Sequence, residues 1–515
     1  MLNSLTPGRE QSCTLDPMDR ASIFYLVLPL GIFIVGWLQW WAALPLLACT
    51  VYALRPLAMP VGPYRPITRL QLLFAISVGC AWTICGGAGH LLFANPDWHV
   101  RDAVLHDLVV SPWPVGYGMI DGHESLLRAP LGFYLPAAVL GKWLGLHAAY
   151  AAIGLWTAIG SVLFLLQVFS LVPSRTGLIV MSAAVIVFFS GFDIVGSAIN
   201  WGPRFFEYWD ISQHIEWWAG SYQYSSMTTQ LFWVPNHALG GWLIIGLIAR
   251  DGRENHLNTL LPILVVAAAL WSPLSAIGVV PFALWKVVTA SARQRSLRLL
   301  HPRVWVPAMA VGIVLAMYLT LNAGGVQKGL LVGQGRDPTP VMDLLRQTQF
   351  FLLEAGITGF VILSIKRSSE VVLALAILAL LPLAYLGPGN DLVMRASIPS
   401  IAVLAIAACK ALSSECKDNI VARRKLVLVC MLVIGAVTAV QELARAVLVP
   451  PWPLNLQATL IGASCGTFAP HYVARIGNDM VAQLMRSPHR LPVGDVGPQA
   501  CDNPALEIMW KRGLL

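Results

Sequence analysis

Long apolar runs recur along the chain, separated by short polar stretches, and helices that cross a bilayer need about 20 apolar residues. Ile23–Leu54 is too long for one span and predicts a tight hairpin of two helices, turning near Gln39–Trp41. Leu70–Phe93 predicts a third span. Gly132–Leu144 reads as a short interfacial helix, and Ala148–Val172 and Gly177–Ile199 as the fourth and fifth spans. Ala238–Ala249 is short but extended upstream by aromatics. Leu260–Trp271 and Leu274–Val288 form a pair broken by Pro273. Val304–Leu321, Phe350–Ile365, Val371–Leu386, Ile398–Leu412 and Leu426–Val447 complete about thirteen spans. The pattern predicts an all-α, polytopic membrane protein. It divides into an N-terminal segment with the hairpin (1–69), a transmembrane core (70–412), a last span (413–447) and a polar tail (448–515).

Composition agrees with that pattern. The chain of 515 residues is 57% hydrophobic and 12% charged, where a soluble domain carries about 25% charged residues. Its mean hydropathy is +0.68. The polar first twenty residues and the lack of a small-residue cleavage site predict no secretory signal. The net charge of +8 is topological. Lys and Arg crowd the loops that share a side with the N-terminus, as at Arg293–Arg303, Lys366–Arg367 and Arg423–Lys425. The positive-inside rule puts that side in the cytoplasm. It sends outward the segment Asn95–Pro114, the loops 200–237, 323–349 and 387–395, and the tail 448–515. No nucleic-acid partner is expected. The nine cysteines form no CxxC pair and have no metal-type spacing with histidine, so no metal site is predicted from them. Cys465 and Cys501 share the outer tail and are candidates for a disulfide.

The candidate chemistry concentrates in Asn95–Pro114, NPDWHVRDAVLHDLVVSPWP. Asp97 follows a proline turn at a membrane exit, where a carboxylate can act as general base or hold a divalent cation. If Val100–Val110 is helical, Asp97 and Asp102 lie on different faces. His99 stands between them. The loop Trp201–Asn236 is crowded with Trp, Tyr and Phe and carries Arg204, Glu207, Asp210, His214 and Glu216. It reads either as an aromatic belt at headgroup level or as a sugar-binding cleft. Asp193 falls near the outer end of a span, where an ionisable group is costly and is a functional candidate. Asn390, Asp391 and Arg395 lie in the outer turn GPGNDLVMRASIP. Arg suits phosphate, because its planar fork binds bidentately and stays charged. Arg128, Lys142, Arg204, Lys328 and Arg336 are further candidates for a phosphate, and His237 sits in WVPNHALGG. No P-loop, Rossmann glycine pattern, HExxH or GxSxG appears in a usable context.

An acidic residue close behind a span in the first large outer loop, followed by Ala129-Pro130-Leu131-Gly132-Phe133-Tyr134 and LPAAVLGKWLGLHAAY, resembles the GT-C glycosyltransferases. That superfamily includes protein O-mannosyltransferases, the oligosaccharyltransferase catalytic subunit and the lipid A aminoarabinose transferases. The segment is similar to the family's PPL…LFG…AAR stretch, and the likeness runs from about Leu70 to Leu412. Two departures stand out: Asp97-Trp98 replaces the family's common Asp-Glu, and the Ile23–Leu54 hairpin precedes the family's first span. The resemblance implies transfer of a sugar from a polyprenyl-phosphate donor, with inversion, on the outer face of a bacterial inner membrane. The acceptor would be a lipid, glycan or protein. It implies Asp97 and Asp102 as catalytic carboxylates. It implies Arg395, Arg204 and Lys142 at the donor phosphate, and His99, Asp193, Asp391 and His237 around the substrates. A surface-glycan polymerase or ligase, or a transporter of lipid-linked glycans, is the alternative reading.

Overall fold

The computed structural model describes residues 15–59, 66–120, 122–202, 204–205, 209–211, 214–251, 257–294, 301–330, 340–387, 389–416, 418–464, 472–477 and 480–490. The described residues are 72% helical. Among the described residues, eight helices are long and apolar enough to cross a membrane. Shorter apolar helices, including Trp40–Ala53, Arg69–Cys85 and Leu261–Trp271, pack among them.

The N-terminal hairpin forms as α1 (Pro17–Trp37) and α2 (Trp40–Ala53), broken at Leu38–Gln39. It belongs to the interior. The Tyr25 ring stacks on Trp156 at 4.0 Å and on Trp271 at 5.1 Å. Tyr25 Oη donates to Trp156 O and Trp271 Nε1 donates to Leu26 O. Such buried aromatic pairs add about 0.5–1.5 kcal/mol each beyond their area, so the hairpin and the spans beyond it hold one another.

α3 (Arg69–Cys85) is shorter than the run Leu70–Phe93 predicts. The chain turns at Gly86–His90, where Gly87, Gly89 and His90 all have positive φ. At Gly87 a Cβ would lie 2.5 Å from Ala94 Cα, so only glycine fits this fold-back. α4 (Trp98–Val110) follows. Then come β1 (Val115–Ile120), β2 (His123–Leu127), α5 (Leu135–Leu144) and α6 (Leu146–Ser170).

The β hairpin corrects the purely helical expectation. β1 and β2 are the centre of a four-stranded sheet whose outer strands, Val473–Ile476 and His489–Arg490, come from the polar tail. The tail also bonds to the end of α1, with Gln39 N donating to Leu484 O at 2.9 Å. The tail therefore packs on the core. The expected Cys465–Cys501 bond lies outside the described residues.

The fifth predicted span is interrupted. α7 (Thr176–Phe188) and α8 (Asp193–Trp201) are separated by irregular residues 189–192. That break faces a second irregularity, a π-turn at Leu352–Gly356 inside Val341–Ile365. Phe192 N donates to Leu353 O across the contact at 3.1 Å. Single π-turns inside helices recur at functional sites.

Candidate functional site

Asp97 is fixed by its sequence neighbours. Asn95 Oδ1 accepts from Asp97 N at 3.1 Å, an Asx turn before the helix, and Asn95 Nδ2 donates to Phe232 O. Trp98 is buried, and its Nε1 donates to Gly86 O at 3.1 Å. The start of α4 is thus pinned to the fold-back loop and to the helix Met227–Trp233. The Asp97 side chain is left 49% exposed, with Oδ2 3.3 Å from Arg101 Nη2 one turn along.

Arg101 is buried and lies 5.4 Å from the Trp98 ring centroid. Its Nη2 also donates to Trp233 O. Its Nε and Nη1 are buried without a partner. Arg395, on the helix Asp391–Ala396, pairs with Asp391 at 3.0 Å, and its buried Nε likewise has no partner. Buried unpaired guanidinium nitrogens are costly unless something accepts from them. The two arginines share one environment. Both act electrostatically on His237, and both act on Tyr472 together with Asp97 and Asp391. Tyr134, in the Pro-Leu-Gly-Phe-Tyr motif, feels Tyr472, Arg101 and Asp97. His237 is buried, with Nδ1 2.7 Å from Ser272 Oγ. Asp97, Arg101, His237, Asp391, Arg395 and Tyr472 therefore converge.

The aromatic loop borders this cluster. The charge of Asp97 reaches His214, whose ring stacks on Trp217 at 4.9 Å and packs on Trp233 at 5.0 Å. Burial holds His214 down to about 4, so the ring is neutral. Trp217 is exposed. Trp233 Nε1 donates to Glu442 Oε2, and Glu442 Oε1 pairs with Arg445 at 2.7 Å.

The remaining predicted residues lie elsewhere. Asp102 is 2% exposed and does not share the Asp97 surface. The periodicity of α4 turns it inward, where His90 Nε2 lies 2.8 Å from its Oδ2. Burial raises its carboxyl and His90 opposes that shift. His99 is buried, burial lowers its pKa against the opposing pull of Asp102, and both its nitrogens lack partners. Lys142 sits at the opposite end of α4, donating to Val109 O and Ser111 O. Arg204 and Lys328 are exposed, and Arg128 is buried against Leu319 O. Arg336 and Glu207 lie outside the described residues.

Asp193 belongs to a second, sealed cluster. Its Oδ2 accepts from Ser190 Oγ and Thr438 Oγ1, both at 2.8 Å. Its neighbours are Glu354, in the π-turn, and Glu216, in the loop. All three carboxyls are buried. Glu354 Oε1 accepts from Trp218 Nε1 at 2.7 Å. Glu216 accepts from Gln223 Nε2 at 2.7 Å and from Ser226 N at 2.9 Å. Burial first, then the Asp193 charge, pushes Glu216 up to about 8.

Sequence reasoning missed Arg101, Tyr472 and Glu354 as site residues, and placed Glu216 only within the aromatic loop. The Asp97–Arg101 spacing of four, inside a helix predicted from Val100, was the available signal for Arg101. Tyr472 and Glu354 are brought in only by tertiary packing. Among the described residues no group of three or more His, Cys, Asp or Glu could hold a metal ion. No family model, no curated protein and no solved structure matches the chain.

Proposed function

We propose that this chain is a membrane glycosyltransferase of GT-C type, with about 13 spans when the shorter helices are counted. It transfers a sugar from a polyprenyl-phosphate-linked donor to a lipid, glycan or protein acceptor at the outer face of a bacterial inner membrane. The observation that carries this reading is a half-exposed carboxylate, Asp97, paired with Arg101, and a second carboxylate–arginine pair, Asp391–Arg395, both arginines having buried nitrogens that lack acceptors.

The chemistry follows from those groups. The acceptor hydroxyl oxygen attacks the anomeric carbon, and Asp97 takes its proton. The anomeric carbon–oxygen bond to phosphate breaks, and the electron pair leaves on the phosphate. One in-line displacement inverts the anomeric centre, as the GT-C resemblance implies. Arg101 and Arg395 donate to the phosphate oxygens as negative charge grows there. The Asp97–Arg101 pair keeps the base aimed. Asp391 orients Arg395, and the Trp217, Trp233 and His214 rings offer faces for sugar stacking. A divalent cation would have to bind without a dedicated carboxylate group, since Asp97 and Asp391 each already face an arginine.

A transporter of lipid-linked glycans is the second reading. The observation in its favour is the sealed carboxylate cluster where two interrupted helices meet, a feature of transporter sites. Proteoliposomes holding the purified protein, a radiolabelled polyprenyl-linked sugar and envelope acceptors separate the two. Label appearing in acceptor supports the enzyme. Protein-dependent flux of label across the bilayer with no transfer overturns it.

A further inference from the structure

A groove of roughly 900 Å³ runs along α1 and α2, away from Asp97. Its walls are apolar, including Phe24, Val27, Val35, Val51 and Leu54. The lining on α1 extends from Ile23 to Gly36, about 20 Å at 1.5 Å per residue, or two thirds of a ~30 Å hydrocarbon core. Gly31 lies in its wall, and a Cβ there would meet nothing within 4 Å. The absence of a side chain at this position keeps the groove open.

One end of the groove is cationic. Lys142, Arg486 and His489 line it beside Trp113, and no acidic residue lines the groove. Backbone acceptors hold the cations in place. Lys142 Nζ bonds to Val109 O and Ser111 O and lies 5.0 Å from the Trp113 ring centroid. Arg486 Nε donates to Leu38 O at 3.0 Å. His489 is fixed by its backbone N donating to Pro114 O. α4 is 13 residues long, so this mouth lies on the order of 20 Å from Asp97. An apolar trough of membrane depth, capped by two fixed cations and a histidine, is complementary to a lipid tail with an anionic head.

We propose that this groove is a binding site for one anionic glycerophospholipid, with an acyl chain along α1 and α2 and its phosphate at Lys142, Arg486 and His489. The proposal rests on the chain lying in a membrane and not on the transferase reading. The tail strand carrying His489 is paired with β1, so the bound headgroup braces the sheet over the end of α4.

The test is native mass spectrometry of the full-length protein released from nanodiscs of equal phosphatidylglycerol and phosphatidylcholine. Each cation near a headgroup is worth about 1 kcal/mol, or roughly five-fold. The wild type is expected to retain one phosphatidylglycerol with a preference of ~25-fold for the two permanent charges. Lys142→Gln with Arg486→Gln should erase the preference while apolar occupancy persists. Gly31→Phe should fill the trough and abolish retention of both lipids. Its melting temperature in lipid-free detergent shows whether it folds, and the charge variant stands as the independent arm if it does not. Equal retention of both lipids by the wild type overturns the proposal, as does wild-type retention by folded Gly31→Phe. Exclusive retention of polyprenyl phosphate from a third nanodisc preparation also overturns it. Failure of transfer assays leaves these readouts unchanged, so the two readings fail separately.

Discussion

Two groups of carboxylates in this molecule behave in opposite ways. At α4, Asp97 is half-exposed and ion-paired with Arg101, which has buried nitrogens to spare. At the helix break, Asp193, Glu216 and Glu354 are buried, and they accept hydrogen bonds from hydroxyls, amides and an indole. The first cluster can gain and lose a ligand without exposing a charge to apolar surroundings. The second is closed, so changing it changes the fold. Residue type alone does not distinguish them: access and the sign of the neighbouring charge do.

Variants can break or sharpen this contrast. The largest loss among the binding groups is expected from Arg101→Ala combined with Arg395→Ala. Hydrogen bonds to charged groups contribute ~1.5–3 kcal/mol each, and two of them correspond to at least about 100-fold in kcal-to-rate conversion. Arg395→Ala alone should cost about tenfold or more in kcat/KM. Arg395→Lys should recover only part of that, because it keeps charge and loses the fork. Equal activity of the alanine and wild-type proteins, with a lowered melting temperature, would make Arg395 a membrane anchor instead.

The sealed cluster should respond in stability. Asp193→Ala strands the Ser190 and Thr438 hydroxyls and is expected to destabilise by about 1–3 kcal/mol, with turnover of the surviving folded protein unchanged. A selective loss of turnover in Asp193→Ala would erase the distinction drawn between the clusters.

The smallest effect is a slope. Glu216 is raised from the ordinary value of 4.5 to about 8. In the folded state it keeps its proton through that window, while unfolded it would lose it near 4.5. Its contribution to stability is therefore complete below about 4.5 and is lost as pH rises through about 8. Melting temperatures from pH 5 to 9 should fall for wild type and fall less for Glu216→Gln, which cannot ionise. Parallel curves for the two proteins would remove Glu216 from the account.

Much of the helical layout was legible in the hydropathy pattern. The Ile23–Leu54 run gave the hairpin and its turn at Gln39, and Pro273 marked the break between Trp271 and the next helix. Three features were not legible, each for a physical reason. The Gly87–His90 fold-back shortens α3 because three positive-φ positions within four residues, Gly87, Gly89 and His90, outweigh an apolar run. The break before Asp193 is compensated by contact with the Leu352–Gly356 turn, which a local pattern does not encode. The sheet pairs β1 and β2 with tail strands about 350 residues away, a non-local match invisible to periodicity. Of the candidate site, Asp97, Asp391, Arg395 and His237 were readable from position and type. The burial of Asp102 was not readable, because its depth depends on how α4 is rolled against His90.

The most direct test of the central claim is the turnover of purified Asp97→Asn with a polyprenyl-phosphate sugar donor, measured beside its melting temperature. Loss of a general base reduces rate by about 10²–10⁴-fold. The account predicts a loss in that range with a melting temperature close to wild type, since the side chain is half-exposed and its one partner is Arg101. Near-wild-type turnover of a folded Asp97→Asn protein would contradict it.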